Sequence, residues 1–189
     1  MNNQYDDYSF YIDEEWHLWQ EKKDGTEKKR LTDEKALCFT YHNGCVFYAL
    51  HDSLYGNAGV YGIDLETGES EILADALILS PADIQVIDNC LFMFCATGRC
   101  VKMDLNSGCQ SVFFNESSPE YTHCSFENYQ DGWIYFYTLR VEKTILDSVL
   151  DFFLRLFGRY QVKYHHRYYR VDLDGKVEYL RTETGRSFT

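Results

Sequence analysis

Hydrophobic and polar positions alternate along most of this chain with a period of two, the mark of strands with two distinct faces. Aromatic strands recur: Cys45-Val46-Phe47-Tyr48-Ala49-Leu50, Leu91-Phe92-Met93-Phe94-Cys95 and Trp133-Ile134-Tyr135-Phe136-Tyr137. A two-residue turn signal precedes each of them, namely Asn43-Gly44, Asp88-Asn89 and Asp131-Gly132. Residues of these types reach positive φ at little cost, as tight hairpins require. A second strand and turn follow each aromatic strand: Val60 to Leu65 with Glu66-Thr67-Gly68, Cys100 to Leu105 with Asn106-Ser107-Gly108, and Tyr168 to Leu173 with Asp174-Gly175. Near the N-terminus, Tyr8 to Tyr11, Glu15 to Lys23, and Thr26 to Leu31 read as strand, strand, an Asp24-Gly25 two-residue turn, and strand.

Aligned on these turns, the chain divides into units at about 8–31, 36–74, 83–114 and 124–181, a repeat of roughly forty residues of the size expected for blades. Asp64 and Asp104 hold equivalent places in Asp-Leu-x-(Thr/Ser)-Gly, and Asp172 holds the same place in the fourth unit. The expected fold is all-β: a propeller-like array of about four three- to four-stranded blades in one domain. The first unit lacks its leading strand. Either Gln4 and its neighbours supply that strand, or the tail from Thr182 to Thr189 returns to complete the blade.

Between Lys143 and Tyr160 the period changes to about 3.6, which predicts an inserted amphipathic helix over 143–158. Leu146, Val149, Leu150, Phe153 and Phe157 share one face, and Asp151 and Arg155 stand at pairing distance on the polar stripe. That apolar arc is wider than one sheet contact needs. Three roles compete for it: a cap on the array, a surface for a protein partner or self-association, and a membrane-surface helix.

Composition narrows the classes. The 189 residues are 45% hydrophobic and 17% aromatic, which excludes intrinsic disorder. A net charge of -12 argues against nucleic acid as a partner. There is no N-terminal signal pattern and no apolar run long enough to span a bilayer, so a cytoplasmic location is expected. Seven cysteines without a C-x-x-C pair read as reduced, buried thiols rather than a zinc site. With Thr97-Gly98 as the loop, Cys95 and Cys100 would face each other across a hairpin. Adjacent His165 and His166 point to opposite strand faces and do not share a metal. Asp172-x-Asp174-Gly175 lacks the later ligands of a calcium loop.

Trp133-Ile134-Tyr135-Phe136, followed by Tyr169-Arg170-Val171-Asp172-Leu173-Asp174-Gly175, resembles the repeats of bacterial relatives of YWTD propellers of lipoprotein-receptor type. Leu18 to Thr26 is similar to the same repeat. The Asp-Leu-x-Thr-Gly turns resemble quinoprotein-type and TolB-type repeats. The strict Tyr-Trp-Thr-Asp motif is absent, and a six-bladed relative would be longer. The resemblance implies a non-catalytic binding or scaffolding role with no cofactor and no catalytic residue. The alternative is a lactonase-like hydrolase with a metal at the channel mouth, for which Gln85 and Glu127 are the candidates.

Overall fold

A computed structural model describes residues 7–50, 59–74, 78, 80–116, 118, 120–121, 123–142 and 161–188. The helix expected over 143–158, with Leu146, Val149, Leu150, Phe153 and Phe157, lies outside them. The described strands are β1 (Tyr8–Ile12), β2 (Leu18–Lys22), β3 (Lys28–Arg30), β4 (Ala36–His42), β5 (Cys45–Leu50), β6 (Val60–Asp64), β7 (Ser70–Ala74), β8 (Ile84–Ile87), β9 (Cys90–Phe94), β10 (Arg99–Asp104), β11 (Gln110–Asn115), β12 (His123–Gln130), β13 (Trp133–Glu142), β14 (Gln161–Asp172) and β15 (Val177–Phe188). They form four antiparallel meanders in chain order: β1–β3, β4–β7, β8–β11 and β12–β15. These are the blades. No helix among the described residues is long and apolar enough to cross a membrane.

The turns follow from residue chemistry. Asn43-Gly44, Asp88-Asn89 and Asp131-Gly132 all have positive φ at both positions and join the first two strands of blades two to four. These are the two-residue hairpin loops expected of such pairs. The last two strands of blades two and three are joined differently. The Asp64 carboxylate accepts from Glu66 N and Thr67 N, and Asp104 accepts from Asn106 N and Ser107 N. Each aspartate thereby holds its loop with its own side chain.

Asp24-Gly25 belongs with this second type, which corrects the two-residue loop expected there. Lys22 N donates to Glu27 O across a longer loop, only Gly25 has positive φ, and Asp24 accepts from Thr26 N. β2 and β3 therefore correspond to the last two strands of the other blades, and β1 to their aromatic second strand. Among the described residues, the first blade is without its leading strand. Gln4 lies outside them. In the other blades that strand is innermost: β4 packs on β8, and β12 packs on β9 and on a 3-10 turn at Pro81–Asp83.

The tail does not fill the gap. β15 stays paired with β14 from Val171↔Val177 out to Gln161↔Phe188. A ladder that simply continues along a neighbouring strand closes no new long loop, whereas crossing to the first blade would.

Cores lie between blades, and the middle strands feed them alternately. Val46, Tyr48 and Leu50 of β5 enter the core shared with blade one, beside Leu18, Ala36 and Ile63. Phe47 and Ala49 enter the core shared with blade three, with Val60, Leu91 and Met93. Cys90, Phe92 and Phe94 of β9 meet Ile134, Phe136 and Val171 of blade four. Four blades thus have three shared cores, and no core cluster of the described residues joins blade four to blade one.

All seven thiols are free, and Cys38, Cys90, Cys95, Cys100 and Cys124 are buried. Cys95 and Cys100 do not face each other. Cys95 N donates to Arg99 O and Cys100 sits opposite Phe94, so the loop is one residue longer than expected. That offset sends Cys95 to one core and Cys100 to the next. Burial pushes the Cys38 and Cys95 thiols up to about 12.

Candidate functional site

The end blade at the C-terminal side has two unlike faces. Along β13, Ile134, Phe136 and Thr138 are fully buried, while Trp133, Tyr135 and Tyr137 between them are half-buried. Cross-strand pairing extends the second set over β14 and β15: Tyr135 opposite Arg170, Tyr137 opposite Tyr168, and Tyr168 opposite Arg181. The result is a continuous aromatic surface. Tyr137 lies 4.8 Å from His166 and 5.9 Å from Tyr168, and Tyr164 lies 5.0 Å from His166, between ring centroids. The Arg170 guanidinium stacks 4.1 Å above Trp133, and that of Arg181 stacks 4.2 Å above Tyr168.

Electrostatics on this face are balanced locally. Arg170 pairs with Glu178 at 2.6 Å, and Arg181 with Glu183 at 2.7 Å. Hydrogen bonds from Lys176 and Arg170 hold the Glu178 carboxyl below its ordinary value. Burial lowers the pKa of the His166 imidazole, favouring its neutral form. A Cβ on Gly185 would run into the Tyr164 ring, so this glycine lets the ring lie on the backbone.

The opposite, inner face is pinned by a polar cluster. The Glu116 carboxylate accepts from Arg167 Nη1 at 3.1 Å, Tyr169 OH at 3.0 Å and Thr138 Oγ1 at 3.2 Å. Only 3% of the Glu116 side chain is exposed, and the Arg167 guanidinium stacks 4.0 Å from the Tyr121 ring. Burial together with the Glu116 charge pushes the Tyr169 hydroxyl up to about 12. Nearby, buried Asp83 accepts from Ser125 Oγ at 2.7 Å and from Phe126 N at 3.2 Å, tying the 3-10 turn to β12. Its pKa is raised to about 6 by burial, against the opposing effect of those bonds.

The first blade also ends in a face with no core of its own. Phe10, Ile12 and Leu18 turn toward blade two. Tyr11, Trp19 and Glu21 alternate with them, and Tyr11 pairs with Trp19 across the strands. Lys28 Nζ lies 4.7 Å above the Trp19 ring, 5.2 Å above the Tyr11 ring and 3.9 Å from Glu21.

A cleft of about 710 Å³ opens between blades two and three. Phe47, Ile63, Leu73 and Met103 form its apolar side, and Asp64, Glu69 and Glu71 contribute carboxylates. His42 Nε2 meets Asn89 Oδ1 at 2.9 Å across its rim.

The hydrolase candidates are not brought together. Gln85 donates to Ala82 O, while Glu127 sits at the bulge of β12 near Arg181. Among the described residues, no three His, Cys, Asp or Glu side chains are placed to hold a metal ion. Asp172 accepts from Lys176 N at 2.8 Å, closing a hairpin. The residues of the aromatic face are readable as strand residues, but which face of the strand lies outside the core clusters of the described residues has no local signal.

No family model matches the chain, and no curated protein matches it in sequence. Solved structures do match in fold. The N-terminal domain of Nup159 superposes with a TM-score of 0.58 at 12% identity, over 92% of this chain and 44% of that one. The computationally designed Ika8 protein gives 0.52 at 11% identity, over 94% of this chain and 46% of that one. The tricorn protease gives 0.52 at 11%, over 92% of this chain and 16% of that one. This chain has a β-propeller fold. It spans less than half the length of each of these three chains.

Proposed function

We propose that this protein is a non-catalytic interaction module whose binding surfaces are the outer faces of its end blades. The observation that carries the reading is the aromatic and arginine surface of blade four, which belongs to no core cluster of the described residues. Tyr, Trp and Arg dominate the residues whose truncation most weakens protein interfaces, because they combine large apolar area with a hydrogen-bonding tip. Rings already packed against one another also lose little freedom on binding. The inserted segment at 143–158, with Leu146, Val149, Leu150, Phe153 and Phe157 on one side, is proposed as a second contact for a protein partner.

The test replaces Tyr137 with a photo-crosslinking phenylalanine analogue in the protein's own cells. A control carries the analogue at Val112, which is 51% exposed on blade three. The expected result is a discrete protein adduct from position 137, whether to this chain or another, and none from 112. Equal labelling from the two positions overturns the reading.

A further inference from the structure

We propose that the cleft between blades two and three is a separate binding site, and that its occupant is an extended basic segment of another protein. An arginine or lysine side chain of that segment enters over Phe47 and pairs with Glu71. The site lies apart from the outer faces of blades one and four, and it does not depend on them.

The blades themselves supply the template. Two residues before Asp64, Asp104 and Asp172 stand Gly62, Lys102 and Arg170, at equivalent places in blades two to four. Each is the middle member of a row of three across the strands. The rows are Phe47, Gly62 and Glu71 in blade two, and Phe92, Lys102 and Ser111 in blade three. Blade four has Tyr135, Arg170 and Glu178, and blade one has Phe10, Gln20 and Lys29. The first member is aromatic in all four rows, and the middle member is a long polar side chain in three. Lys102 holds its Nζ 5.9 Å from the Phe92 ring centroid and donates to Leu173 O of blade four. Arg170 pairs with the facing Glu178 at 2.6 Å. Blade two keeps the ring and the carboxylate of this scheme and sets a glycine between them.

The cleft opens at that glycine. Phe47, Gly62 and Glu71 all line it, and so does Leu105 of blade three, the counterpart of Leu173. No lysine or arginine is among its lining residues, and no described residue pairs with the Glu71 carboxylate. The backbone does not require glycine at 62, which is absent from the positive-φ positions. A Cβ there would press on the Leu73 side chain at 3.2 Å, so the glycine serves to make room. A cation entering the cleft therefore meets an aromatic face and a carboxylate together, the two groups that attract it most.

Charge and spacing select the occupant. Asp64, Glu69 and Glu71 give the cleft three carboxylates, and the whole chain carries -12, which draws a basic ligand from a distance. Asp64 accepts from the backbone of its own turn, whereas Glu69 and Glu71 stand two residues apart where β7 begins. That interval is about 7 Å in extended chain, and an extended peptide presents its alternate side chains at the same interval. A volume of about 710 Å³ has room for two such side chains.

The experiment follows the fluorescence anisotropy of a labelled Ser-Arg-Ser-Arg-Ser-Gly peptide on titration with the full chain. A second peptide carries citrulline in place of both arginines, which keeps the shape and removes the charge. The arginine peptide is expected to bind and the citrulline peptide not to. Glu71→Gln should weaken binding roughly three- to fivefold. Gly62→Lys installs the cation of blade three and should abolish binding. Glu66→Gln removes an equal charge from the same turn, outside the cleft lining, and should leave the affinity unchanged. Glu66 and Glu71 are both exposed, so these two variants compare like with like in a folded protein. Equal binding of the two peptides, or of neither, overturns the proposal. Equal losses from Glu66→Gln and Glu71→Gln also overturn it, since diffuse charge would then be the cause. Agmatine, the same guanidinium on a small molecule, is run as a competitor. If it binds as tightly as the peptide, the occupant is a small cation and the peptide segment is ruled out.

Discussion

Ile134 and Phe136 on β13 sit in the same strand as Trp133, Tyr135 and Tyr137, and the two sets differ in nearly everything but sequence position. The first set packs against Phe92, Phe94 and Cys124 with no exposed surface. The second lies half-buried, with the Arg170 guanidinium over Trp133 and Tyr137 against His166 and Tyr168. Ile134 and Phe136, which meet the neighbouring blade, are purely apolar. Outside, the chain uses aromatics that bear a hydroxyl or indole N–H. Such side chains tolerate water when the face is free and lose little when it is covered. A face of this chemistry suits a contact that forms after folding, and a Phe-lined face suits one that forms with it.

Five changes should break or sharpen this contrast. Phe136→Ala should cost the most, about 3–5 kcal/mol in denaturant unfolding, since it empties a site in the core of the last two blades. Removing the part-exposed Arg167 from the buried Glu116 carboxylate comes next. Arg167→Met should cost about 3 kcal/mol by leaving the Glu116 carboxylate buried without its counter-charge, and adding Glu116→Gln should return part of the loss. Equal stabilities of the single and double variants would show that the pair does not hold the inner face.

Asp83 gives a pH signature of the inner side. Its pKa is raised in the folded state, so the native protein keeps this proton where the unfolded chain has already lost it. Its contribution is present below the ordinary carboxylate value and is lost as pH rises to about 6. Thermal melts should show wild type losing roughly 2–3 kcal/mol relative to Asp83→Asn between about pH 4 and 6, with parallel behaviour above. A difference that does not change with pH would refute the burial argument.

On the outer side the effects should be smallest. Tyr137→Ala should change stability by under about 1 kcal/mol. Gly185→Ala should do the same, because the obstructing group is the far end of the Tyr164 side chain. A loss near that of Phe136→Ala would mean that the outer face is a folding core after all.

Much of the architecture was legible locally. Period-two alternation located the strands, and Asn43-Gly44, Asp88-Asn89 and Asp131-Gly132 located the hairpins, because a positive φ at two successive residues restricts both sequence and geometry. The errors share a cause. Asp24-Gly25 looks like a two-residue loop, yet the hydrogen bonds that count its length lie outside the dipeptide. Cys95 and Cys100 were placed by assuming such a loop, and a one-residue difference moved them to separate cores. A gap in the first blade invites the tail, on sequence alone, to fill it. The long ladder of β14 was the nearer partner.

What the sequence determined by itself is the repeat: strands, their turns, and an aromatic composition that must be packed on two sides. Those are consequences of backbone dihedrals and of a period of two, and both are local. The side on which each strand meets a neighbour was decided only in three dimensions. Trp133 through Tyr137 is apolar at every position, so alternation cannot distinguish its buried face from its open one. The order of blades around the axis does that, by bringing blade three to one side of β13 and leaving the other side without a neighbour in the described fold.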